Sequence, residues 1–184
     1  MTIAESYASL ARMLEYPKKK EILLTASDSV NRFLRERDID PPLAPFAAFV
    51  ASSTLAELQE DYVATFDFNP AVTPYLGHHL HGDNQNKGAY LIRLKQEFGR
   101  YGYAPAGNEL PDHLPLVLGF LAHLAEQSND GERRSFIADY VLTGIEKLAV
   151  GFASRPHSPW KSAVDAARLL CSADSATCEE VQPC

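Results

Sequence analysis

The stretch Glu109-Leu110-Pro111-Asp112-His113-Leu114-Pro115 (ELPDHLP) runs straight into Leu116-Val117-Leu118-Gly119-Phe120-Leu121-Ala122-His123-Leu124. Leu114, Val117, Leu118, Leu121 and Leu124 recur at helical spacing and form one apolar stripe. Pro111 and Asp112 mark the start of this helix, and aspartate is a residue type that caps free amides there. Pro115 is compatible with a first turn, whose amides have no intrahelical acceptor. The run 114–125 is the most apolar in the chain, but Pro115 and His123 interrupt it. A membrane span takes roughly 20 largely apolar residues. The helix is therefore expected to sit inside a protein core.

The same period extends outward in both directions. Before it, Leu91, Leu94, Phe98 and Tyr101 mark a helix beginning near Asn84. Thr54-Leu55-Ala56-Glu57 has the form of a capping box, opening a helix whose inner face is Leu55, Leu58, Tyr62 and Phe66. A short helix through Phe46, Phe49 and Val50 follows Pro41, Pro42 and Pro45. A longer one over 18–37 presents Ile22, Leu23, Ala26, Val30, Phe33 and Leu34, and the first carries Ile3, Tyr7, Leu10 and Leu14 up to Pro17. After Asn129-Asp130-Gly131 a long helix bears Phe136, Ile137, Tyr140, Val141, Ile145, Leu148 and Phe152. Ser158-Pro159 opens the last, with Trp160, Val164, Ala167 and Leu170. No alternating β-pattern and no repeat occurs. The reading is an all-α, single-domain bundle of seven to eight helices over 1–172, with a disordered, cysteine-containing tail at 173–184. The stretch 69–83 reads as a long loop of the kind that carries function.

Composition narrows the function classes. The chain has 184 residues, 46% hydrophobic and 22% charged, too apolar for a disordered protein. Lys plus Arg number 17 and Asp plus Glu 24, a formal charge of −7. That balance disfavours a nucleic-acid binder and suits a basic peptide partner. No basic-then-apolar signal pattern appears in 1–16, and no segment suits membrane insertion, so a cytoplasmic protein is expected. Cys171, Cys178 and Cys184 have no zinc-type spacing and read as reduced thiols of the tail.

Two clusters could carry chemistry. His78, His79 and His81 lie beside Gly82 and Asp83, and His79-x-His81-x-Asp83 matches part of a metallo-hydrolase motif. That motif continues with a histidine where Asn84 stands, and it normally follows a strand. A metal-dependent hydrolase using His79, His81 and Asp83 is thus one alternative, and a generic helix-binding adaptor another. The second cluster is ELPDHLP itself, in which His113 is a candidate pH-sensitive hydrogen-bond donor. No nucleophile elbow, P-loop or dinucleotide fingerprint is present. An apolar groove near Tyr62, Phe66, Tyr75 and Tyr90, rimmed by Glu60, Asp61, Asp67, Asp83, Glu109 and Asp112, would suit an arginine-bearing amphipathic helix.

The segments 58–67 (LQEDYVATFD), His79-Leu80-His81-Gly82-Asp83, Gly88 and 109–115 closely resemble the nitrate reductase assembly chaperones. These are the NarJ branch of the redox-enzyme maturation proteins, which include the TorD and DmsD chaperones. The resemblance covers about 55–124, and ELPDHLP is its most specific piece. It implies a cytoplasmic chaperone with no catalysis and no cofactor of its own. Such a protein binds the N-terminal segment of a molybdoenzyme catalytic subunit, assists molybdenum cofactor insertion, and delays membrane docking or export. Any meeting with the molybdenum cofactor would come transiently, through the client. By resemblance, Asp112 and His113 form the acid–histidine pair beside the peptide groove, with Pro111 and Pro115 shaping the turn. Glu109, Tyr62, Phe66, His79, His81, Gly82 and Asp83 complete the client-binding set. His78, Gln85, Asn86 and Lys87 depart from the nitrate reductase pattern and leave the client's identity open. A His113 in contact with the client would make binding change between about pH 5.5 and 7.5.

Overall fold

The computed structural model describes residues 1–176, which hold nine helices. They are α1 (Ile3–Leu14), α2 (Lys20–Arg35), α3 (Ala44–Ser52), α4 (Leu55–Phe66), α5 (Leu76–His81), α6 (Gln85–Arg100), α7 (Leu114–Glu126), α8 (130–151) and α9 (Pro159–Ala176). In α8, α-helical turns at Asp130–Phe136 and Leu142–Gly151 flank a π-helical turn at Ile137–Val141. The helix beyond the expected count is α5, inside the stretch expected to be a loop, where a 3-10 turn at Pro70–Val72 also lies. Its six residues include three histidines, too short a run for a period to show.

Helix α7 is the centre of the bundle. Its stripe of Leu114, Val117, Leu118, Leu121 and Leu124 is buried as expected, and Pro115, Phe120 and Ala122 are buried as well. A helix apolar on nearly all sides has neighbours on nearly all sides, and α1 packs along it while α2 covers the far side of α1. The capping box at Thr54 forms, with Thr54 Oγ1 accepting from Glu57 N–H (3.3 Å) and Glu57 Oε2 accepting from Thr54 N–H (2.7 Å). Around Trp160 an aromatic core gathers Phe46, Tyr62 and Phe66 at ring-centre distances of 5.5, 5.2 and 5.8 Å. Trp160 Nε1 donates to Asp61 Oδ2 (2.7 Å), so Asp61 anchors the core and does not rim a groove.

The C-terminal helix corrects the expected boundary at 172. Helix α9 runs to Ala176, and Asp174 is buried within it. Arg133 donates to Asp174 through Nε (2.7 Å) and Nη2 (2.9 Å), Tyr7 OH donates to it (2.9 Å), and Arg133 also pairs with Asp130. Buried charges persist when paired and hydrogen-bonded. Here the pairing ties the end of α9 to the start of α8 and to α1. Cys171 is fully buried in the same helix. Cys178 and Cys184, and with them residues 177–184 of the tail expected at 173–184, lie outside the described residues.

Candidate functional site

Two short segments meet edge to edge, 74–77 leading into α5 and 112–114 leading into α7. Leu76 N–H donates to the Asp112 carbonyl (3.0 Å), and Leu114 N–H donates to the Pro74 carbonyl (2.7 Å). Tyr75 and His113 thus face each other as an isolated antiparallel bridge, the sole sheet-type pairing among the described residues. The flanking bonds make them a non-hydrogen-bonded pair, the arrangement that brings opposed side chains closest. Their rings lie 5.2 Å apart with planes tilted by 36°. Exposed Glu109 completes the group, its Oε1 accepting from Tyr75 OH (2.9 Å) and Leu110 N–H (3.1 Å).

The electrostatics follow from burial and these contacts. Burial pushes His113 below the ordinary imidazole value of 6.5, with Glu109 and Asp67 pulling the other way. Burial also acts to raise Glu109, but the Tyr75 hydroxyl, the Leu110 amide and His113 outweigh it and hold the carboxyl below 4.5. Tyr75 is pushed well above its usual range, by burial first and then by Glu109. At neutral pH the site therefore presents a neutral imidazole, an intact phenol and a carboxylate.

Asp112 is 0% exposed and stands behind this surface. Its Oδ2 accepts from Gly77 N–H (3.0 Å), while Oδ1 is buried with no hydrogen-bond partner. Burial raises its pKa from 3.8, against the Gly77 amide. The expected cap is real but belongs to a different helix. Helix α7 begins at Leu114 with His113 as N-cap and no side-chain cap bond, whereas Asp112 caps the start of α5. Pro111 and Pro115 are buried and shape this turn.

The remaining expected site residues separate. Tyr62 and Phe66 were expected on a groove wall, but they belong to the Trp160 core, at 5% and 1% exposure, with Tyr62 OH donating to the Leu14 carbonyl. His79 Nε2 lies 2.7 Å from the Thr73 carbonyl, which can only accept, so that nitrogen carries the proton. The His81 ring, at the end of α5, sits 5.4 Å from that of Tyr90 on α6. Gly82 ends α5 at φ 58°, ψ −137°, a conformation open essentially to glycine alone. Asp83 is exposed, and Asn84 beside it caps α6. No group of three His, Cys, Asp or Glu residues able to hold a metal exists among the described residues, so the hydrolase alternative lacks its ligand set there. The helix breaks the motif, turning His79 and His81 to different neighbours.

Sequence reasoning missed three contributors. Gly77 permits the close approach to Asp112. Phe68 is 80% exposed, directly after Asp67, and Leu110 is 43% exposed, directly after Glu109. Phe68 lies two positions beyond Phe66 and off the α4 stripe, which was the available signal. Glu109 and Pro111 also line a cleft of about 440 Å³, together with Lys95, Phe98, Tyr103 and Leu116.

The family model described as the nitrate reductase delta subunit matches residues 36–163, a span that contains this whole site. The chain belongs to the nitrate reductase delta subunit family. Within that family it is 31% identical over 145 residues to a Bacillus subtilis (strain 168) protein named as a nitrate reductase molybdenum cofactor assembly chaperone, NarJ. That match covers 78% of this chain and 76% of the relative. NarJ of Escherichia coli (strain K12) is 29% identical over 123 residues, covering 64% of this chain and 51% of the relative. The chain thus aligns with about half the length of the E. coli protein. Its fold matches a chain described as a redox enzyme maturation protein from Archaeoglobus fulgidus, with a TM-score of 0.62 over 92% of this chain and 93% of that one, at 18% identity. The nitrate reductase delta subunit fold is accordingly the all-α bundle described above. No described helix is long and apolar enough to cross a membrane.

Proposed function

We propose that this chain is a system-specific maturation chaperone. It binds the N-terminal segment of one molybdoenzyme catalytic subunit, that of nitrate reductase or a relative, in the cytoplasm. It assists molybdenum cofactor insertion, delays membrane docking or export until insertion is complete, and has no catalysis of its own. Family membership and the chaperone names of its relatives support the class. The observation that carries the peptide-binding part is Glu109. It is an exposed carboxylate, held ionised by Tyr75 and Leu110, that lines a cleft and directly precedes the exposed apolar side chain of Leu110.

A client helix with one apolar and one basic face matches that arrangement. Its apolar side chains lie along the cleft and against Phe68 and Leu110, while its arginines or lysines meet Glu109 and Asp67. Apolar burial supplies most of the affinity, and the carboxylates supply orientation and encounter rate. Calorimetric titration with the N-terminal peptide of the molybdoenzyme subunit encoded beside this chain tests the reading. Micromolar or tighter binding, about tenfold weaker in Glu109→Gln/His113→Ala through slower encounter, is the expected result; a tenfold change corresponds to about 1.4 kcal/mol. Binding of any amphipathic helix regardless of those two residues would make the chain a generic adaptor. No binding of the peptide by the wild type overturns the proposal.

A further inference from the structure

We propose that Asp112 and Gly77 form a buried clamp that positions Tyr75 and His113, so that Asp112 governs client binding without touching the client. The inference rests on the peptide-binding reading above and assigns Asp112 a different part in it from the one its sequence neighbourhood suggests.

Three observations converge. Asp112 is 0% exposed, while Glu109 is exposed and Tyr75 and His113 are partly so, which leaves no path from Asp112 to a docked segment. Its carboxylate is spent on the backbone. Helix α5 has no cap from Tyr75, its own N-cap residue, and Asp112 Oδ2 takes the Gly77 amide in its place. That bond continues the two backbone bonds of the Tyr75–His113 bridge, so three hydrogen bonds in succession fix the 74–77 segment against 112–114.

The third observation is the fit at Gly77. A Cβ there would stand 2.8 Å from Asp112 Oδ2 and 3.1 Å from Tyr90 Cδ1. Asp112 is a short, fully buried side chain that cannot swing aside. Tyr90 is held as well, its hydroxyl donating to the Tyr140 carbonyl (2.7 Å) in the π-helical turn of α8. Gly77 is therefore the only residue that lets carboxylate and amide meet, and any side chain there must push the bridge apart. Asp112 Oδ1, buried without a hydrogen-bond partner, marks the cost of this arrangement. A buried, half-satisfied carboxylate is maintained for the geometry it imposes.

The test compares Asp112→Asn, Asp112→Ala and Gly77→Ala. Asparagine keeps an oxygen at the clamp, so Asp112→Asn should bind the client peptide within a few-fold of wild type. Asp112→Ala and Gly77→Ala should each lose about tenfold or more, because the apparent affinity falls with the fraction of molecules whose Tyr75–His113 bridge is held in the binding arrangement. Far-UV circular dichroism confirms that all three fold.

The His113 titration midpoint, followed by NMR in the free protein, supplies a readout independent of the client. Among the groups acting on His113, burial dominates and Glu109 and Asp67 oppose it. Opening the clamp relieves burial, so Asp112→Ala and Gly77→Ala should raise the midpoint towards 6.5, while Asp112→Asn leaves it in place. If Asp112 acted by its charge, both Asp112 variants would lower the midpoint and Gly77→Ala would not. That pattern, or equal loss of binding in Asp112→Asn and Asp112→Ala with Gly77→Ala intact, overturns the proposal. Should the wild type fail to bind the peptide, the peptide-binding reading falls, and the midpoints still decide the clamp.

Discussion

His113 shows how burial revises an expectation drawn from residue type. A solvated histidine in contact with the client would titrate on both sides of pH 6.5, but packing against Tyr75 lowers this one. The folded value lies below the unfolded one, so the unfolded chain binds the proton more readily. The contribution of His113 to stability is complete above about pH 6.5 and is lost as pH falls through the folded value. Binding has the same sign, because a protonated His113 repels a basic client. Affinity should be flat from pH 7.5 to about 6.5 and fall below that, and His113→Gln should remove the fall. A titration series across that range checks this, and a fall unchanged in His113→Gln counts against contact. Glu109, held below 4.5, stays charged throughout. Cys171 makes a second point at this scale. It is fully buried, and burial lifts its thiol to about 12. Alkylation followed by peptide mapping should find Cys171 unmodified in the native protein and modified in urea, since the thiolate is the reactive form.

Helices announce themselves in a sequence to the extent that they are long and one-sided. Leu114, Val117, Leu118, Leu121 and Leu124 repeat over three turns, and the stripe is buried as read. Thr54 and Glu57 sit at capping-box spacing, and the box forms. Helix α5 stayed hidden because its cap comes from Asp112, 35 positions away from Gly77. Local sequence carries no trace of a long-range cap. Tyr62 and Phe66 were legible as an inward stripe but not as core rather than groove, because Trp160, which covers them, lies about a hundred residues on. Asp174 misled for the same reason, as its partners Arg133 and Tyr7 are 41 and 167 positions away. That network yields a prediction about elements. Arg133→Met removes the principal partner of a buried carboxylate and loosens α9 from α8. The cost should be about 3–5 kcal/mol, the range for breaking a buried ion pair by removing one partner. Urea unfolding measures it. A loss under about 1 kcal/mol would mean that the Arg133 pairing is not what holds α9 to α8.

At the scale of the whole molecule, charge and shape act on different parts of recognition. The chain carries a formal charge of −7. Glu109 and Asp67 both act on His113, and each is followed in the chain by an exposed apolar side chain, Leu110 and Phe68. A net field of that size draws a basic segment in over long range, while the apolar surface holds it once docked. The two contributions separate under salt, because the screening length falls from about 10 Å at 0.1 M to about 3 Å at 1 M. Raising salt across that range should slow association of the client peptide by roughly tenfold and change its dissociation far less. Asp67→Asn/Glu109→Gln should remove part of the salt effect while leaving the dissociation rate at high salt near the wild-type value, since the net acidity of the chain persists. Phe68→Ser should do the opposite, speeding dissociation with the salt slope intact. Stopped-flow measurements on the three proteins resolve the pattern. If Phe68→Ser and the charge variant change the same rate constant, apolar and acidic groups form one contact and not two, and the division between steering and holding is wrong.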